Sequence, residues 1–510
     1  MLLAAAFVLP VYLFVVDRTP SAPPRLSISE ALSQDLANVH VSSYRSAVPV
    51  LVYHEIAEGP GRYTVTPQRF RSQMASLAAA GFHTIAVSQL IDFLERGLPL
   101  PPKPLLLTFD DGLGSAWRSA DPVLQGYGLH AVAFVISGQL HRRGFYYLHP
   151  GELRQMIESG RWDVEAHTHL GHDLVPINAH GGTGPFLTNR AWLSGKHRLE
   201  TVDEYRARID HDLAVNANEL RSFGASPQLF AYPFSPANAS TNDSRLLPIL
   251  RRIVDSHFPV SFADADAARY LNRWDGATPH ELPRFEVYAR TTVRDLLRRL
   301  LAAEPLQPST SVAFRQPGDW RFEGVATADG RRAFRAGVLR LLPPARRWQA
   351  AYYALTRSDS WQSYRLQIMI SGFGASADGR NVSSFGSSRR RAVVDDGTSA
   401  SILLDNAPVS PGAATSPRYT VTVSAAHLSV TSSRPAGDRL SLASVHIPPQ
   451  AGHILEIMLS QNRLRVSVDG KTRARVPVSA SSHGGIGIGV WRDRPSTRPV
   501  RFTRLVVRPA

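Results

Sequence analysis

Asp110 and Asp111 stand side by side in Thr108-Phe109-Asp110-Asp111-Gly112, directly after the apolar run Pro104-Leu105-Leu106-Leu107. Adjacent carboxylates at a strand end repel unless a cation or proton shares their site, and a tight turn at Gly112 lets both project outward. Alone, Asp-Asp-Gly is an ordinary turn sequence. A second cluster changes its weight: His167, His169 and His172 fall within six positions of Glu165-Ala166-His167-Thr168-His169-Leu170-Gly171-His172, again after a strand-like run. Imidazole nitrogens with one carboxylate and open positions make a first-row metal site suited to hydrolysis. A surface cluster, or His169 filling a polar gap, explains any one of these histidines; three of them, with a carboxylate pair on another strand end, favour metal. A third stretch runs from Gln228 to Phe234 as Gln-Leu-Phe-Ala-Tyr-Pro-Phe. Tyr232, placed before a proline, is pushed to extended backbone, and its N–H is expected to face the pocket as an oxyanion donor. The alternative is an apolar core strand.

The elements around these residues alternate. From Val48 the strand VPVLVYHEI leads to a helix with Thr66 as N-cap and Pro67 at its first position. Then come the strand HTIAV, a helix opening at Ser88, the strand PLLLTF, the strand AVAFVIS, the helix HPGELRQMIESG and the strand WDVEAHTH. A long helix from Thr201, the strand QLFAYPF and the helical TTVRDLLRRLLAAEP close the region. Repeated β-then-α with apolar strands predicts an α/β fold, a parallel sheet or barrel with helices outside, whose chemistry sits at the carboxyl ends of the strands. All the candidates above lie there.

After Pro305 the character shifts to short alternating runs, among them YRLQIMI, RYTVTVS, RLRVSVDG and GGIGIGVW, without a helical period. An all-β sandwich is expected. The domain reading is a segment at 1–16, a linker at 17–46, the α/β domain at 47–305, a linker at 306–320 and the sandwich at 321–510. At 510 residues two domains are expected, and 43% hydrophobic with 19% charged residues is globular composition. The formal charge of +15 allows an anionic partner, but only Arg389-Arg390-Arg391 is clustered and no aromatic residues interleave with it, so spread surface charge is favoured and no nucleic-acid partner is expected. The absence of cysteine excludes disulfides, a thiolate nucleophile and Cys-based zinc sites. Met1 to Val16 is uncharged and apolar, shorter than the ~20 residues of a bilayer span, and suits a signal-peptide core or a short membrane anchor. No basic residues precede it and no A-x-A site stands out before Pro23-Pro24. An exported, extracellular or cell-surface protein is expected, with anchoring to the membrane through this segment open.

The set TFDDG, HTHLGH and FAYP, in this order and spacing, resembles the NodB-homology polysaccharide deacetylases (carbohydrate esterase family 4), and most closely the branch acting on poly-N-acetylglucosamine. The resemblance covers about residues 47–305. It implies a distorted (β/α) barrel, a divalent metal (Zn2+ foremost) on Asp111, His167 and His172, and Asp110 as general base; His169 would not be a ligand. The His167–His172 gap is one longer than the usual family spacing and points to that branch, as does the segment from Pro176 to Arg198. Two departures follow. The family's general-acid His lies in Leu-x-x-His near the domain's C-terminal end, where this chain has no His between His280 and His427; Leu51-Val52-Tyr53-His54 carries the pattern on the first strand instead, which makes His54 the candidate acid. The Arg that tethers the base in Arg-x-x-Tyr-Pro is replaced by Gln228, and Arg284, in Leu282-Pro283-Arg284-Phe285, could supply the charge from a neighbouring strand end; it is placed with Tyr232 on the substrate and oxyanion side.

The implied reaction is removal of acetyl groups from an N-acetylated polysaccharide. Peptidoglycan or chitin-type deacetylation, and a non-catalytic carbohydrate-binding protein, remain as alternatives. The tail resembles concanavalin- or laminin-G-like jelly rolls, which implies carbohydrate binding with Trp361 or Trp491 as sugar-stacking platforms; a place for both in the sandwich core is the structural alternative.

Overall fold

The computed structural model describes residues 44–306, except 237–238, 268, 273–274 and 276–279, and residues 319–510, except 325–332, 336, 354–356, 359–360, 362, 377–392, 395–396, 407–417, 434–438, 461 and 480–483. The segment expected at Met1–Val16, most of both expected linkers and the run Arg389-Arg390-Arg391 lie outside the described residues. Among the described residues no helix is long and apolar enough to cross a membrane.

Seven parallel strands close a barrel in chain order: β1 (Val50–Tyr53), β2 (Pro104–Phe109), β3 (Ala131–Val135), β4 (Trp162–Ala166), β5 (Leu229–Ala231), β6 (Val260–Asp266) and β7 (Leu282–Glu286). Each pairs with its successor, and β7 returns to β1 through Phe285↔Leu51 and Glu286↔Val52. The short strand His83–Thr84 adds to the start of β2 from outside the ring. Helices follow the strands: α1 (Pro67–Ala79), α2 (Asp121–Tyr127), α3 (Pro150–Glu158), α4 (Val202–Ser222), α5 (Leu246–His257) and α6 (Val293–Ala303). Their starts are written locally. Thr66 accepts from the Arg69 N–H with Pro67 at the first position of α1, and Thr201 with Glu204 forms a capping box on α4.

Because strand side chains alternate, the barrel has two cores. Leu106, Val132, Phe134, Leu229, Ala231 and Phe262 fill the inside. Leu107, Phe109, Val135, Trp162 and Phe285 face outward onto α1, α3 and α6 through Phe70, Met74, Leu153 and Leu296. Phe230 and Tyr232 face outward onto α4 and α5 through Tyr205, Ile209, Leu213 and Leu250.

Among the described residues, the C-terminal part contains two seven-stranded antiparallel sheets and a short pair, Ala375–Ser376 with Val393–Val394. One runs in the order Trp320–Glu323, Trp348–Tyr353, Gly485–Arg492, Thr398–Asn406, Tyr419–Val423, His427–Ser433, Arg439–His446. Its inner face, with Ile402 and Ile488, shares one core with Leu366, Ile368, Ile457 and Val466 of the other sheet. Trp361 lies in this core at 2% exposure, its Nε1–H donating to Leu306 O at 2.6 Å, whereas Trp491 is 36% exposed on the outer face. Burial therefore removes Trp361 as a sugar platform.

Candidate active site

Parallel pairing brings the strand ends to one rim. Asp110 continues the β2 ladder by donating its N–H to Tyr53 O at 2.9 Å, and this sets it beside His54. Asp111 then adopts φ +70°, a left-handed conformation disfavoured for a side-chain-bearing residue, and its carboxylate turns toward β4. There Asp111 Oδ1 lies 3.4 Å from His167 Nε2 and 3.3 Å from His172 Nε2. Ligand atoms of the three residues all fall within 4.8 Å of one another.

The ring of His167 is fixed by its other nitrogen, since Nδ1 lies 2.8 Å from Ala231 O, which can only accept. Nδ1 therefore carries the proton and the Nε2 lone pair faces Asp111. A lone pair aimed at a carboxylate oxygen repels it unless a cation sits between, and Asp111 Oδ1 is buried without a hydrogen-bond partner. The donor set of one carboxylate and two imidazoles thus fits a divalent metal such as Zn2+. Burial alone would raise the Asp111 carboxyl, but the imidazoles of His167 and His172 against it and the charge of His54 nearby hold it well below the usual carboxylate range. His169 points away from the set. Its Nδ1 meets Ser137 Oγ at 2.9 Å and Glu219 at 3.3 Å.

Asp110 is 1% exposed and gripped by Arg284 through two bonds, Nη1 to Oδ1 and Nη2 to Oδ2, each 2.7 Å. Burial works to raise this carboxyl too, and the charge of Arg284 and its hydrogen bonds outweigh it, so Asp110 stays ionised below the ordinary range. Arg284 itself has no exposed side-chain surface and fills the barrel interior, its guanidinium carbon 5.5 Å from the Phe134 ring centre and 5.9 Å from that of Phe262. It reaches the base from beneath. It supplies the base-tethering charge expected of it, but from inside the barrel and not from the substrate and oxyanion side where it was also placed, because alternation along β7 points it inward, two residues before the rim.

Tyr232 requires a second correction. Its N–H donates to Phe262 O at 2.9 Å, so the parallel ladder continues one residue past β5, and its ring packs outward 5.0 Å from Phe230. Neither its amide nor its phenol faces the site. The residue that does is Phe234, with φ +60° and its ring 4.7 Å from His172. His54 follows β1 at the same rim, its ring 4.7 Å from Tyr63 and its Nδ1 3.8 Å from Glu286 Oε1, and both aspartates feel its charge.

Other contributors carried no motif. Asp212 on α4 accepts from the His169 and Leu170 N–H groups at 3.0 and 2.7 Å, and Asn216 one turn on donates to Thr168 O and to Val135 O. This clamp holds the loop between the two ligand histidines. Their spacing of four on a helix was visible, but nothing in a single sequence links them to that loop.

A family model for polysaccharide deacetylases matches residues 97–248. The chain carries a polysaccharide deacetylase domain. Asp110, Asp111, His167 and His172 lie inside the matched span, whereas His54 and Arg284 lie outside it and join the site through β1 and β7. The deacetylase domain is similar to the poly-beta-1,6-N-acetyl-D-glucosamine N-deacetylase of Escherichia coli (strain K12), with 28% identity over 189 residues, 34% of this chain and 28% of that protein's length. It is also similar to the protein of the same name from Staphylococcus aureus (strain MRSA252), 25% identical over 236 residues, 42% of this chain and 73% of that protein. Among solved structures it is similar to the BpsB deacetylase domain of Bordetella bronchiseptica, at 23% identity and a TM-score of 0.41, covering 48% of this chain and 97% of that one.

Proposed function

We propose that this chain is an exported, metal-dependent deacetylase that hydrolyses the N-acetyl groups of a poly-N-acetylglucosamine-like polysaccharide and releases acetate. The observation that carries the reading is the pair of neighbouring carboxylates put to separate uses. Asp111 faces two imidazoles, and Asp110 is held ionised by a buried guanidinium. A divalent ion held by Asp111, His167 and His172 supplies Lewis-acid polarisation and lowers the pKa of water.

The chain's own residues do the rest. Each Asp110 oxygen gives one lone pair to Arg284 and keeps another, so the ionised carboxylate takes a proton from the water that attacks the acetyl carbon. The oxyanion needs a backbone donor. Tyr232 N–H is engaged and Pro233 has none, so the next N–H along the rim, that of Phe234 beside His172, is the candidate. As the C–N bond breaks, His54 gives a proton to the leaving amine, with Glu286 3.8 Å from its Nδ1 to stabilise the imidazolium. Acetate and a free amino sugar result.

The polymer assignment rests on the names of the two relatives and on the His167–His172 spacing; peptidoglycan and chitin are the competing substrates. A jelly-roll, carbohydrate-holding sandwich and membrane attachment through Met1–Val16 belong to the same proposal. Acetate release measured on poly-β-1,6-N-acetylglucosamine, chitin and peptidoglycan tests it. The first should be the best substrate for the wild type, and Asp110→Asn at saturating metal should release none. Wild-type rates from that variant would remove the base.

A further inference from the structure

The outer face of the first sheet carries a built groove. Along Gly485–Arg492, Ile486, Ile488 and Val490 enter the sandwich core, so Gly487, Gly489 and Trp491 face out. On one side Tyr352, Ala350 and Trp348 oppose Gly487, Gly489 and Trp491; on the other, Leu403, Ser401 and Ser399 do. A Cβ on Gly489 would stand 2.0 Å from Trp348 Cζ2, and one on Gly487 would stand 2.8 Å from Tyr352 Cδ1. The glycines are therefore what lets these rings lie flat across the central strand. Trp348, Ala350, Tyr352 and Leu403 form an apolar cluster separate from the sandwich core. Above it is a groove of about 470 Å³.

Its walls are polar. Thr420 and Thr422 continue the row begun by Leu403 and Ser401, and Ser401 Oγ meets Thr422 Oγ1 at 2.8 Å. Glu323, on the strand at one edge of the sheet, and Arg439, on the strand at the other edge, complete the lining. One acid and one base leave the groove without net charge, which disfavours a polyanion. A lipid or apolar peptide would cover the hydroxyls without bonding them. A pyranose chain matches both parts: its C–H faces lie on indole and phenol rings, and its hydroxyl and amide edges meet Ser and Thr.

We propose that this groove, on the sandwich and not among the catalytic residues, binds the polymer on which the deacetylase domain acts, as a hexosamine segment a few rings long. The identity of the polymer rests on the function proposed above; the groove itself does not. Holding the strand here raises the local concentration of acetylated sugars at the barrel without altering turnover of a single bound unit.

The full chain is tested for co-sedimentation with insoluble poly-β-1,6-N-acetylglucosamine, and for turnover of a short soluble N-acetylglucosamine oligomer. Trp491→Ala and Trp348→Ala are each expected to bind the polymer about tenfold more weakly or worse, while hydrolysing the oligomer at the wild-type rate. Trp491 is the more exposed, so Trp491→Ala decides the matter if Trp348→Ala fails to fold. Wild-type retention in Trp491→Ala overturns the groove assignment, and tryptophan-dependent binding to cellulose but not to this polymer overturns the substrate assignment. Asp110→Asn separates the two readings: it should bind fully and release no acetate. If even the wild type releases none but binding still depends on Trp491, the deacetylase reading fails and the groove stands.

Discussion

At the scale of single residues, the decisive pair is Asp110 and Arg284, bidentate and buried. Removing one partner of such a pair strands the other charge. Arg284→Met should cost about 3–5 kcal/mol of stability, read by denaturant unfolding. The sign of the pH effect follows. Arg284 depresses the Asp110 pKa, so the ionised base and its contribution to stability are fully present above the ordinary carboxylate value and are lost as pH falls through the lowered one. Without Arg284, burial dominates and the pKa rises, so the acid limb of the kcat/KM profile should move to higher pH. An unmoved limb would mean that Arg284 does not set the base. Truncating His54 to Ala should lower kcat about 10²–10⁴-fold with little change in KM, the range for a lost general acid. These residues were legible to different degrees. Asp110, Asp111, His167 and His172 announce themselves by type and spacing. Tyr232 misled because the proline after it says nothing about where its own N–H goes, and the ladder takes it.

At the scale of elements, the loop from His167 to His172 depends on α4. Asp212 satisfies two of its N–H groups, so Asp212→Ala should weaken metal affinity about 10–100-fold by letting His172 wander, as loss of an outer partner does at metal sites. Titration of the metal-stripped protein with Zn2+ checks it, and unchanged affinity would make the clamp irrelevant. The β-then-α alternation was readable from apolar runs through β1 to β5. β6 was not read as a strand, because VSFADAD carries charge, and β7 was read only as a strand end around Arg284, because LPRFE does too. In β7 the inward positions supply Arg284 to the base and Glu286 to His54. A strand that serves a site loses the apolar pattern by which strands are recognised.

At the scale of the molecule, the barrel and the sandwich have separate cores, joined where Leu306 meets Arg357 and Trp361. A ligand that binds only the folded barrel stabilises only that unit. Calorimetry should therefore show chelation lowering one thermal transition and leaving the other in place; a common shift would mean that the two unfold together. The change from parallel strands with helices to antiparallel sheets was visible as a change from mixed to purely alternating patterning after Pro305. The outer-face groove was half visible: Trp491 stood out by type, but Trp348 acquires its position only through pairing with a glycine-bearing strand far along the chain. The central claim, that Asp111, His167 and His172 hold the metal used in N-deacetylation, is tested most directly by acetate release from poly-β-1,6-N-acetylglucosamine before chelation, after it, and after Zn2+ is restored. Loss on chelation and recovery with Zn2+ in the wild type, with no recovery in Asp111→Ala, is the predicted result; acetate release indifferent to the chelator would contradict it.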